Sequence, residues 1–106
     1  MHKISIAKDF SSTPGFRLIS EGPYSGEEFR KSKLDPLFKD LADTTPIEIN
    51  LDGVAGYATS FLEEAFGGLA RMYGVEVCMK RLKFRSDEEP LLPKEIEGYI
   101  RNSVKK

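Results

Sequence analysis

A chain of 106 residues is long enough for one compact domain and too short for two. With 40% apolar and 31% charged residues and a formal net charge of −1, it lacks the strongly basic surface expected of a nucleic-acid or anionic-membrane binder. Cys78 is the only cysteine, so an internal disulfide and a zinc-ligand spacing are both excluded, and a reducing, cytoplasmic setting is expected.

The N-terminal residues from Met1 to Asp9 contain no apolar core of a signal peptide, and no apolar run approaches the ~20 residues needed to span a bilayer. Lys3 to Ala7 alternates, with Ile4 and Ile6 on one face, which predicts a short half-buried strand. Ser11-Ser12-Thr13-Pro14-Gly15 is a turn cluster. Phe16 to Ser20 is expected to form a second strand, in a loose hairpin with the first that closes at Gly22-Pro23.

Ser25-Gly26-Glu27-Glu28 has the pattern of a capping box and starts a helix near Gly26. Asp35-Pro36 should interrupt that helix and restart it, because proline disfavours helical geometry in the residue before it. Leu34, Leu37, Phe38 and Leu41 fall on one helical stripe, and the helix is expected to end between Ala42 and Thr45. Ile47-Glu48-Ile49-Asn50-Leu51 alternates strictly and is the clearest strand, closed by Asp52-Gly53.

Ser60-Phe61-Leu62-Glu63 reads as a second capping box, followed by a helix with Leu62, Ala65, Phe66, Leu69 and Tyr73 on one stripe and Gly74 at its C-terminal turn. Val75 to Phe84 is predicted to be a strand with Val75, Val77 and Met79 on one side. On that reading the basic cluster Lys80, Arg81, Lys83 and Arg85 is the strand's wet face and not a nucleic-acid site. A last helix opens at Pro93, with Ile96, Tyr99, Ile100 and Val104 inward.

The element order ββαβαβα predicts a single α/β domain over residues 1–106. Its sheet is small, mixed, largely parallel and four-stranded. Alternating strands, in place of continuous apolar ones, place the helices mainly on one face and leave the other partly open.

Catalytic machinery is hard to find. The one histidine, His2, sits at the terminus, and there is no phosphate-binding or dinucleotide glycine motif. No metal set, cofactor site or catalytic residue is expected. Gly67-Gly68, inside a helix, reads as close packing or as the seat of a partner helix. Glu27, Glu28, Glu63 and Glu64 sit in first turns, where carboxylates favour the helix dipole. Asp52 stands at the C-terminal end of the best strand, the edge where α/β sheets bind ligands, although Asp52-Gly53 is also a plain turn. Thr59-Ser60 at a helix start can cap it, accept a phosphoryl group, or help hold an anion.

The run Asn50-Leu51-Asp52-Gly53-Val54 through Thr59-Ser60-Phe61-Leu62-Glu63-Glu64-Ala65-Phe66-Gly67-Gly68-Leu69 resembles the signature of the STAS-like domain family of unknown function. Pro14-Gly15-Phe16-Arg17 and the stretch from Gly22 to Arg30 resemble it too. The resemblance implies the STAS fold, shared with bacterial anti-sigma-factor antagonists. In those proteins a serine at a helix start is phosphorylated by a GHKL-type ATPase kinase, which switches binding. Aligned from Asn50-Leu51, that serine falls on Thr59 and its neighbour on Ser60, with Ala58 in place of the preceding aspartate and Phe61 in place of the following glycine. The resemblance implies a regulatory interaction module that docks a protein through residues 53–66, with Thr59, Ser60, Asp52, Gly53, Tyr57 and Phe61 as candidate site residues. A small-anion or nucleotide binder using the same helix start is the alternative.

Overall fold

A computed structural model describes residues 1–103. Strand β1 (His2–Ser5) leads directly into a one-turn helix, α1 (Ile6–Asp9). A long connection with a 3-10 turn at Ile19–Glu21 reaches helix α2 (26–38). Strand β2 (Ile47–Asn50) is followed by helix α3 (59–73), helix α4 (Val75–Arg81), strand β3 (Leu82–Arg85) and helix α5 (Leu92–Arg101). The inward position expected for Val104 lies outside the described residues.

The sheet has three strands in the order β1-β2-β3, both pairs parallel. Four strands were expected, and the missing one is Phe16 to Ser20. Its backbone groups are taken up by the start of α2. The Gly26 and Glu27 N–H groups donate to the Phe16 and Arg17 carbonyls at 2.9 and 3.0 Å, and the Ile19 N–H donates to Glu27 Oε1 at 2.9 Å. A segment bonded to a helix end has no groups left in phase for a ladder.

Register places His2, Ile47 and Leu82 in one row and Ile4, Ile49 and Phe84 in another, on the face the helices cover, where Ile4, Ile47, Ile49 and Leu82 are buried, Phe84 is half-buried and His2, at the edge, is partly exposed. The rows between them, Lys3-Glu48-Lys83 and Ser5-Asn50-Arg85, point the other way and are exposed or half-buried. The alternation thus reports a sheet packed on one side. Phe29, Leu34 and Phe38 of α2, Leu62, Phe66 and Leu69 of α3, and Ile96 and Ile100 of α5 complete the core.

Helix α2 does not break at Asp35-Pro36. It widens into a π turn over Arg30–Leu34 and resumes at Asp35–Phe38, with Asp35 in helical geometry and not acting as a side-chain cap. A wide turn shifts the hydrogen-bond pairing and so accommodates a residue without an N–H. The helix stops at Phe38, short of Ala42, and leaves Leu41 76% exposed.

Val75 to Arg81 is helix, and only Leu82–Arg85 is strand. Gly74, at φ 97°, separates α3 from α4. Arg81 is consequently no surface residue of a strand. It is 4% exposed, and its Nε and Nη1 donate to the Thr45 and Leu37 carbonyls at 2.9 and 2.8 Å. Its guanidinium also stacks over Phe38, 4.6 Å from the ring centre. It therefore ties the end of α2 and the approach to β2 onto α4. Among the described residues no helix is long and apolar enough to cross a membrane.

Candidate functional site

The C-terminal ends of the three strands form a rim from which the 51–58 loop leads into α3. Asp52 anchors that rim. Its two carboxylate oxygens accept the Asp87 and Glu88 N–H groups at 3.1 and 2.9 Å. In return the Gly53 N–H donates to Glu88 Oε1 at 2.9 Å. The turn is fixed by Gly53 at φ 89°, where a Cβ would also lie 3.0 Å from that of Ala7. Asp52 is thus a clamp between the ends of β2 and β3.

Tyr57 leans back from the loop and donates its hydroxyl to the Leu51 carbonyl at 2.7 Å. Burial, with the nearby charges of Glu89, Asp52 and Glu88, pushes its phenol far above the ordinary value, so it remains a neutral donor. Its ring lies 6.2 Å from Phe61, which is fully buried and continues into Phe10 and Phe29. Phe61 therefore offers no surface to a partner and instead seats the first turn of α3.

Thr59 is exposed and Ser60 is half-buried. The helix begins at Thr59 with Ala58 as N-cap, so the capping box expected at Ser60 does not form. Glu63, which would have completed it, is engaged elsewhere: Arg17 and Arg71 both grip its carboxylate, Arg71 at 2.6 Å. These guanidiniums, Arg71 first, hold the Glu63 carboxyl below the usual range. The Thr59 side chain stands beside the Tyr99 phenol of α5, whose hydroxyl donates to Glu95 Oε2 at 2.8 Å.

One turn further on, Glu64 Oε2 pairs with Arg30 Nη2 of α2 at 3.1 Å, and Arg17 reaches Glu64 Oε1 at 3.4 Å. Glu63 and Glu64 therefore organise charge between α2, α3 and the 14–24 connection, a role that first-turn placement alone did not indicate. Arg17 and Arg30 lie 46 and 34 residues from the glutamates they grip and carry no local signal, whereas Arg71 lies two turns beyond Glu63 on the same helix, a spacing legible in the sequence. Gly67 and Gly68 are buried. A Cβ on Gly68 would stand 2.9 Å from Arg30 Nε, and one on Gly67 would stand 3.4 Å from the Tyr99 carbonyl. These glycines make room for the domain's own residues and present no face to a partner helix.

Of the residues marked in the sequence, Asp52, Gly53 and Tyr57 build the rim, Thr59 and Ser60 lie accessible at the helix start, and Phe61 lies beneath them. Among the described residues no group of three His, Cys, Asp or Glu side chains could hold a metal ion. Fold and rim define a small α/β domain with a parallel sheet covered on one side and an exposed loop-to-helix junction at its C-terminal edge. The chain belongs to the family of STAS-like domains of unknown function (DUF4325), whose family model matches residues 25–92. No curated protein and no solved structure matches it.

Proposed function

We propose that this domain is a regulatory protein-interaction module that docks a partner through the loop and helix start of residues 53–66. In this reading Thr59 or Ser60 is the switch and the domain catalyses no reaction of its own. The observation that carries it is the position of Thr59, exposed at the first turn of a helix whose N-cap, Ala58, contributes no side-chain bond. Phosphate there would add about −1.5 to −2 charges, one helical turn from the Arg17-Glu63-Arg71 cluster. The dipole of the helix start would favour it, while Glu63 would compete with it for the two arginines. The analogy with anti-sigma-factor antagonists makes a GHKL-type ATPase the expected partner, in the cytoplasm, with no role for nucleic acid or membrane.

The test compares Thr59→Glu with Thr59→Ala against a GHKL-type ATPase, alongside mass spectrometry of the Thr59-Ser60 peptide from native cells. Unequal binding supports the switch. Equal binding by both variants, with no modified peptide, rejects it.

The uncapped start of α3 also favours a second reading, a small-anion or nucleotide site at the same place. Carboxylates of Asp52, Glu88 and Glu89 surround Tyr57 on the same rim and oppose an anion, which ranks this reading below docking. Nucleotide or phosphate at 100 times its Kd would raise stability by about 2.7 kcal/mol. No thermal shift with any of them removes this reading.

A further inference from the structure

We propose that the outer edge of β1 is a second docking surface, which takes an extended acidic segment of a protein partner as an added strand. Strand β1 lies at the edge of the sheet and pairs only with β2. The His2 N–H donates to the Pro46 carbonyl at 3.0 Å. In a parallel ladder alternate residues bond to the same neighbour, so His2 and Ile4 serve β2 and the Lys3 amide and carbonyl face outward. The next outward donor, the Ser5 N–H, is already closed by Asp9 Oδ2 at 2.7 Å. Among the described residues the outward Lys3 amide therefore remains open beside one that is capped.

An open cleft of ≈ 440 Å³ runs along this edge, between β1 and α2, lined by Lys3, Lys33, Ser32, Leu37, His2 and Asp9 among others. Its charge selects the occupant. Neither Lys3 nor Lys33 forms an ion pair among the described residues, and Asp9, which accepts the Ser5 N–H, is the one carboxylate of the lining, so the cleft holds two lysines against one carboxylate. On the open sheet face, across β2, Lys83 stands against Glu48, while Arg85 is paired with Asp87 at 3.6 Å. Natural edges are usually covered or blunted, and a lysine on the edge strand hinders pairing with a neutral or basic strand. An acidic strand meets the reverse situation: main-chain bonds to Lys3 supply affinity and the lysines supply selectivity. This surface is separate from residues 53–66 and does not depend on the switch at Thr59.

The experiment measures binding of a fluorescent peptide of alternating Glu and Val residues to the whole chain, with an alternating Lys and Val peptide as the comparison. The expected result is binding of the acidic peptide alone, weakened by added salt and accompanied by slowed hydrogen exchange at the Lys3 amide. Lys3→Pro removes the outward donor at a site where an edge strand tolerates proline, and Lys33→Glu reverses a charge on α2 without touching the sheet. Each is expected to weaken binding by about tenfold or more. Thermal unfolding identifies a misfolded Lys3→Pro, in which case Lys33→Glu decides. Equal binding of both peptides, no binding of either, or acidic-peptide binding unchanged in Lys33→Glu overturns the proposal. Self-association of the wild type that Lys33→Glu abolishes, with no peptide bound, also overturns it and assigns the edge to a second copy of the chain.

Discussion

Gly26 lies so close to Phe61 that a Cβ built on it would stand 2.5 Å from the Phe61 carbonyl oxygen. The obstacle is backbone, so no side-chain rotation relieves it, and the first turns of α2 and α3 can approach only through a glycine. That approach seats Phe61 on Phe29, with ring centres 5.9 Å apart, and fixes where the chain emerges at Thr59.

Gly26→Ala is expected to destabilise the domain by about 1–3 kcal/mol, although alanine is the better helix former, because overpacking against backbone outweighs propensity. Gly98, within α5, is the control: nothing lies within 4 Å of its would-be Cβ, and Gly98→Ala should stabilise by about 0.5–1 kcal/mol. Urea unfolding of the two variants reads both signs.

Glu64→Gln leaves the Arg30 guanidinium, with 11% side-chain exposure, with Asp35 at 3.7 Å as its one carboxylate among the described residues, beside the Met72 Sδ at 3.1 Å. Breaking a buried pair by removing one partner typically costs about 3–5 kcal/mol; the retained Asp35 should bring the loss nearer 2–3 kcal/mol. Replacing both residues, Arg30→Met with Glu64→Gln, should recover part of it. A double-mutant cycle measures the coupling.

Acid should weaken the fold through Glu63. Its carboxyl is held below the ordinary 4.5 in the folded chain, first by Arg71 and then by Arg17. A depressed folded pKa gives stability that is complete above the unfolded pKa and lost as pH falls through the folded one. Urea midpoints should therefore be flat above about pH 5 and fall below it. Glu63→Gln should lower the plateau and reduce the slope on its acid side.

Cys78 is fully buried, and burial pushes its thiol up to about 12. A buried neutral thiol is a poor nucleophile. Iodoacetamide at neutral pH should leave the native chain unmodified and label it fully in denaturant. Labelling of the folded chain at the denatured rate would contradict the packing of α4 on the core.

Asp52→Ala should free the Asp87 and Glu88 amides without unfolding the sheet. Their hydrogen exchange should accelerate to that of an exposed loop, while the Ile49 amide in the buried strand stays protected. Unchanged exchange at both loop amides would show that the clamp does not hold the rim.

The sequence by itself determined the parts whose period has one reading. Ile47 to Asn50 alternates without competition and became β2, while Leu62, Ala65, Phe66 and Leu69 share one stripe and became the buried face of α3. Ser25 was a legible cap, and its Oγ does accept the Glu28 N–H at 3.0 Å, although Glu28 reaches back to the Tyr24 amide and not to that of Ser25. The accessibility of Thr59 and Ser60 followed from the same local logic, a strand end followed by a turn and a helix start. The one-sided sheet followed from alternation as well.

Only the tertiary structure decided the rest. Val75 to Leu82 carries two periods at once: Val75, Val77 and Met79 alternate, while Val75, Cys78, Met79 and Leu82 fall at helical spacing. Gly74 and the burial of Cys78 select the helix. Phe16 to Ser20 had strand composition, yet its amides and carbonyls found partners at the start of α2. Glu63 was a cap candidate until Arg17, 46 residues away, took its carboxylate. Periodicity reports which side of an element is buried, but hydrogen bonds and ion pairs between distant residues choose among elements that local pattern leaves equivalent.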